Sequence, residues 1–173
     1  STLHINDYQF LFALFEADTQ YQKFRPSSCG GFDVKDFSVL DTALQAVEQE
    51  AERYLADERK VLLLEFARNN YQHALSQFKP EFLRDAYFLF FTTDIDTCIH
   101  RVYQRSYHPT FNDDHFISEE MIRGYYREDS PLQTYYHLLQ DYGVSEKHIS
   151  VINNSGTRTK FYRHIKAFVD TLI

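Results

Sequence analysis

Two short apolar runs constrain this chain most: VLLLEF, Val61–Phe66, and YFLFFT, Tyr87–Thr92, each set between stretches of helical periodicity. Neither alternates apolar with polar residues, which is the pattern of strands covered on both faces, as in parallel sheets. Two further segments, Thr2–Ile5 and Ile149–Asn153, have the same strand character, and the first is expected to pair beside Val61–Phe66. Apolar positions recur at threes and fours between Phe37 and Leu55, between Asp94 and Arg105, from Leu132 to Tyr142 and from Thr157 to Ile173. Shorter helices are expected at Glu81–Ala86 and from Ser118 to about Glu128. Asp94 is expected to cap its helix, Ser38 or Asp41 to cap the helix that starts near Phe37, and Ser118-Glu119-Glu120 opens its own. Strands alternating with helices predict an α/β domain with a mainly parallel sheet.

Five glycines and four prolines in 173 residues leave no linker, and no repeat appears, so residues 1–173 read as one domain. The net charge of −7 argues against a general nucleic-acid binder, which shows a basic face. Cys29 and Cys98 lack metal-ligand spacing and read as plain thiols of a reducing compartment. With no run long enough for a membrane span and no signal-peptide pattern at Ser1, the expected location is cytoplasmic, away from membranes.

In open α/β sheets the chemistry collects where strands end and loops begin. Glu65 stands at such an end, followed three residues later by Arg68. It would close a strand-end ion pair, or position a metal, a water or a substrate hydroxyl. Asp7, in HINDY (His4–Tyr8), lies at the turn into an aromatic-rich helix, as N-cap or as a functional carboxylate. Arg101 and Arg105, and likewise Arg123 and Arg127, are spaced i,i+4, and each pair shares one helical face. They flank the polar segment SYHPTFNDDHFISEE. The pairs would be solvated faces, or would close together over a polyphosphate, whose oxygens suit the guanidinium fork. VINNSGT, Val151–Thr157, places Asn153, Asn154, Ser155 and Gly156 after a strand. That turn would cap the last helix or present its backbone to a base.

The order of these pieces along nearly the whole chain resembles the P-loop kinases that act on small molecules, the relatives of adenylate, thymidylate, shikimate, gluconate and dephospho-coenzyme A kinases. EFAR is similar to the Glu-x-x-Arg end of that family's third strand. YFLFFTTDIDTCIHRVYQR resembles its fourth strand and lid-entry helix, and VINNSG its base-side loop. The resemblance implies a three-layer fold with helices flanking the sheet and a helical lid over residues 101–130. It implies ATP and Mg²⁺ as cofactors and a small-molecule phosphate acceptor, a nucleotide, nucleoside or similar metabolite. By position, Asp7 would be general base or orienter of the acceptor hydroxyl, and Glu65 would reach Mg²⁺ through a water. Arg68 and Arg25 would hold an anionic part of the acceptor, and Arg101 and Arg105, with Arg123 or Arg127, the ATP phosphates. Asn153, Asn154 and Gly156 would flank adenine. Tyr8, Phe10, Phe32 and Tyr71 would wall the acceptor pocket, and residues from about Tyr107 to His115 would be the most mobile interior segment. The family's first strand and its Gly-x-x-x-x-Gly-Lys phosphate loop do not occur. The sole Gly-Gly, Gly30–Gly31, is followed by Phe-Asp-Val. Either that central strand is expected upstream of Ser1, or the fold differs from this assignment. The alternative is a catalytically inactive, kinase-like binding domain.

Overall fold

The computed structural model of the protein describes residues 1–56, 60–111, 113–126 and 131–172. It is a mixed α/β structure. The elements in order are β1 (Thr2–Asn6), α1 (Tyr8–Ala17), β2 (Phe24–Pro26), β3 (Phe32–Val34), α2 (Ser38–Glu52), β4 (Val61–Glu65) and α3 (Tyr71–Leu75). There follow α4 (Pro80–Arg84), β5 (Phe88–Thr92), α5 (Ile95–Tyr107), α6 (Glu119–Tyr125), α7 (Pro131–Asp141), β6 (Ile149–Asn153) and α8 (Arg158–Val169).

All four expected strands form, and both pairings that involve them are parallel. β1 lies beside β4, with Asn6 opposite Glu65, and β5 beside β6, with Thr92 opposite Asn153. Among the described residues no ladder joins the two pairs, so the single sheet expected from the sequence is instead two separate two-stranded sheets. A third, antiparallel pair, β2 with β3, is a hairpin the apolar pattern does not announce. Its strands are three residues each, too short for a period to show.

The two parallel pairs nevertheless share one core. Ile5, Leu44, Val47, Ala51, Leu75, Phe90, Leu138 and Ile149 are buried in one cluster, against which Leu62 and Leu64 of β4 pack. α2 supplies the stripe because its apolar positions recur at helical spacing. Fully burying one such side chain stabilises the fold by ~1.5–3 kcal/mol. The expectation of strands dry on both faces fails in β4. Leu62 and Leu64 face the core, whereas Val61 and Leu63 are 59% and 53% exposed. The apolar run is thus longer than the burial it receives here. α8 partly covers the other pair, with Phe161 against Phe91 and Phe168 against Tyr87.

Local signals hold at some helix starts and fail at α2, which neither Ser38 nor Asp41 caps through its side chain. The Asp94 carboxylate accepts the Thr97 N–H at 2.8 Å, and the Ser118 hydroxyl accepts the Met121 N–H at 3.2 Å. Asn70 does the same for α3, accepting the His73 N–H at 2.9 Å. Pro80 opens α4 at a position where its missing N–H costs nothing. A second cluster, Phe24, Phe32, Val39 and Leu40, packs the hairpin under α1 and α2. A third, Ile99, Val102 and Ile122, joins α5 to α6. No helix among the described residues is long and apolar enough to cross a membrane.

Candidate functional site

The carboxyl ends of β1 and β4 bring Asp7 and Arg68 together. Asp7 follows β1, and its backbone N–H donates to the Glu65 carbonyl at 3.1 Å. Its side chain does not cap α1. It meets the Arg68 guanidinium instead, at 2.6 Å, and both side chains are buried. The terminal nitrogens of Arg68 also donate to the Ala67 and Leu40 carbonyls, at 2.7 and 3.1 Å. Burial pushes the Asp7 carboxyl above its ordinary value, against the pull of Arg68. A carboxylate of raised pKa is the better proton acceptor.

Glu65, by contrast, is exposed. Its Oε2 lies 2.8 Å from His4 Nε2 on the uncovered face of the β1–β4 pair. The strand-end partner of Glu65 is therefore His4, where an ion pair with an arginine is the expectation from the sequence. Next to it Asn6 donates to the Asp113 carboxylate at 2.9 Å, which ties the strand end to the segment between α5 and α6.

That segment is docked at several further points. His115 stacks on Tyr8 at 4.4 Å and on Phe32 at 5.6 Å between centroids. Burial lowers the His115 pKa and favours the neutral ring. The Asp33 carboxylate accepts from the Ser118 N–H at 3.0 Å and from Arg25 at 2.9 Å. Gly31 has φ +75°, and a Cβ there would stand 2.6 Å from the Phe116 carbonyl oxygen. Only glycine lets the hairpin approach so closely.

The arginines expected to converge are spread among several partners. Arg101 donates to the Asn154 carbonyl at 2.8 Å, which joins the lid-entry helix to the Asn153–Gly156 turn. Asn153 accepts the Ser155 N–H at 2.7 Å, and the Asn154 N–H donates to the Thr92 carbonyl. Gly156 is exposed, and a Cβ added there would meet no atom within 4 Å. Arg105 lies 3.9 Å from Asp114, and Arg123 pairs with Asp96 and Glu119 on the surface. Arg127 lies outside the described residues. Arg25 is committed to Asp33, with Glu120 at 3.9 Å. Of the expected pocket walls, Phe32 is a core residue, Phe10 packs on the main core, and Tyr71 packs edge-on against Phe90. Tyr8 is half-buried in the His115 stack.

A pocket of about 340 Å³ opens between the start of α2, the β4–α3 loop and α6. Its lining includes Phe37, Asp41, Arg68, Asn70, His73 and Tyr125. Of these, only Arg68 is singled out by the sequence. The others come from three elements distant in sequence, and no spacing reveals them. No group of three or more His, Cys, Asp or Glu side chains among the described residues is arranged to hold a metal directly. None of the 173 residues forms a Gly-x-x-x-x-Gly-Lys phosphate cradle. No family model, curated protein or solved structure matches the chain.

Proposed function

We propose that this protein is a P-loop-kinase-like phosphotransferase that moves a phosphoryl group from ATP to a small-molecule acceptor. The observation that carries the reading is the arrangement of the strands. β1·β4 and β5·β6 are separate parallel pairs over one core, with Asp7, Glu65, Asn153 and Asn154 at their carboxyl ends. In the sheet of that kinase family, the strand leading to the phosphate loop runs between the two corresponding pairs. In the proposed fold a strand of that kind would join the two pairs into one sheet.

Phosphoryl transfer needs positioning and charge neutralisation more than covalent chemistry. Asp7, held by Arg68 and raised in pKa by burial, would orient the acceptor hydroxyl or take its proton. Glu65 would hold a water of the Mg²⁺ shell. Arg101 and the Asn153–Gly156 turn would flank the adenine. The Gly-x-x-x-x-Gly-Lys phosphate loop has no counterpart in the sequence, so no step is routed through it.

The test is steady-state kinetics of the natural protein with ATP, Mg²⁺ and a panel of nucleosides, nucleotides, sugars and cofactor precursors. Glu65→Gln keeps shape and removes charge. Its kcat is expected to fall about 100-fold, or ~2.7 kcal/mol of transition-state stabilisation, with little change in ATP affinity. Wild-type kcat in that variant would leave Glu65 as the partner of His4 alone. The absence of a Gly-x-x-x-x-Gly-Lys motif favours a second reading, a kinase-like binding domain without activity. ATP turnover in the panel would eliminate it.

A further inference from the structure

We infer that the outer edge of β6, together with the face of α8 beside it, takes an acidic segment of a partner protein as an added β-strand. The inference does not rest on the phosphotransferase reading, because it uses a free edge of the fold and none of the strand-end carboxylates.

The edge is open for pairing. Among the described residues β6 is bonded to β5 alone. In a parallel ladder the backbone groups of successive residues turn to opposite sides of the strand. The Asn154 N–H donates to the Thr92 carbonyl, so the groups of Ser150 and Ile152 face β5 and those of Val151 face outward. The Val151 side chain is 46% exposed. An extended peptide laid along this edge would bond to the outward groups, as strands do when they join an exposed sheet edge.

A groove of about 400 Å³ follows the same edge. Residues 149–152 of β6 form one wall, and no residue of β5 takes part. His164, Ala167, Phe168 and Thr171 form the other, and their spacing of threes and fours puts them on one face of α8. Lys147 completes the lining. Phe168 and Ala167 offer apolar cover to a side chain of the added strand, while the cations meet its charges.

Charge selects the occupant. The chain carries a net −7, yet α8 holds Arg158, Lys160, Arg163 and Lys166 and no acidic residue. Lys160 stands four residues before His164, and Arg163 four before Ala167, so both extend the groove face by one turn. Lys166 pairs with Asp170 at 2.7 Å, whereas Lys147, Lys160 and Arg163 form no ion pair among the described residues. Two copies of this chain meeting edge to edge would bring these cations together, which disfavours a second copy as the occupant. A strand flanked by carboxylates satisfies the charges and the backbone groups at once.

The experiment is fluorescence anisotropy of the natural protein with labelled nonapeptides. These have Glu-Asp-Glu at both ends and a centre drawn from Val, Thr and Tyr, and are compared with the same set carrying Lys-Arg-Lys ends. At least one acidic peptide should bind at least 10-fold tighter than its basic counterpart, and amide exchange at Val151 should slow in the complex. Replacing Lys160 and Arg163 together, Lys160→Glu with Arg163→Glu, both at exposed positions, should weaken that peptide at least 10-fold. Val151→Pro, which removes an outward N–H and spares the ladder to β5, should do the same. N-methylation of alternate central residues of the peptide probes the same bonds without altering the protein, and should also cost at least 10-fold. Basic peptides that bind as tightly, or no acidic peptide that slows exchange at Val151, would overturn the inference. So would protection of Val151 that grows with protein concentration alone, which puts a second copy on the edge. Protection of Val151 by phosphatidylserine vesicles and not by acidic peptides would overturn it in favour of a lipid surface.

Discussion

Replacing Arg68 with Met tests the centre of the site. The change keeps length and apolar bulk but removes the charge that Asp7 meets at 2.6 Å. Asp7 is 6% exposed, so the variant leaves an acid buried without a cation. Breaking a buried pair from one side costs ~3–5 kcal/mol, a large part of the ~5–15 kcal/mol that holds a domain together. The Leu40 and Ala67 carbonyls lose their donors as well. The loss should depend on pH. Burial already raises the Asp7 pKa, and without Arg68 it rises further. Between the unfolded value, about 3.9, and that raised value, the folded variant binds a proton that the unfolded chain releases. The variant's stability therefore falls as pH rises through this window, and its deficit against wild type should be larger at pH 7.5 than at pH 4.5. Urea unfolding followed by circular dichroism at both pH values measures this. Adding Asp7→Asn removes the buried charge and should recover most of the loss at pH 7.5. A deficit below ~1 kcal/mol at pH 7.5, or one that does not change with pH, would refute the buried-pair account.

Three other outcomes are expected from the same contacts. The folded His115 pKa lies below its unfolded value, so the docked segment should be fully stable above pH ~6.5 and weaken as pH falls below it; hydrogen exchange of residues 113–118 at pH 7.5 and 5.5, each divided by the intrinsic rate at that pH, should show lower protection at the lower pH. Gly31→Ala forces a Cβ against the Phe116 carbonyl at positive φ and should destabilise by ~1–3 kcal/mol, with exchange increases centred on the hairpin and Phe116. Ser118→Ala removes the cap of α6 and should cost ~1 kcal/mol, whereas Ser118→Asp should restore most of it, both measured by urea midpoints.

The sequence by itself determined the elements that depend on neighbours along the chain. The four main strands arise from their apolar runs, and β6 falls at Ile149–Asn153 as its pattern predicts. α2 and α5 arise from apolar positions at helical spacing, and Asp94 and Ser118 cap their helices because a cap reaches only three residues ahead. Asp7, Glu65, Asn153 and Asn154 at strand ends were legible for the same reason. Apart from the pairing of β1 beside β4, which the sequence leads one to expect, partnerships across distance stood outside reach. That Arg68 closes on Asp7 and not on Glu65, that Glu65 meets His4, and that Asp33 holds Ser118 are contacts between residues far apart in sequence. The division into two parallel pairs is equally invisible, because an apolar run states that a strand wants cover and not which neighbour supplies it. The Phe37–Tyr125 wall and the Asp41–His73 pair depend on where α2, α3 and α6 come to rest. Burial of side chains from distant segments in a common core fixes those positions, and that free energy belongs to the assembled fold and to no local stretch of it.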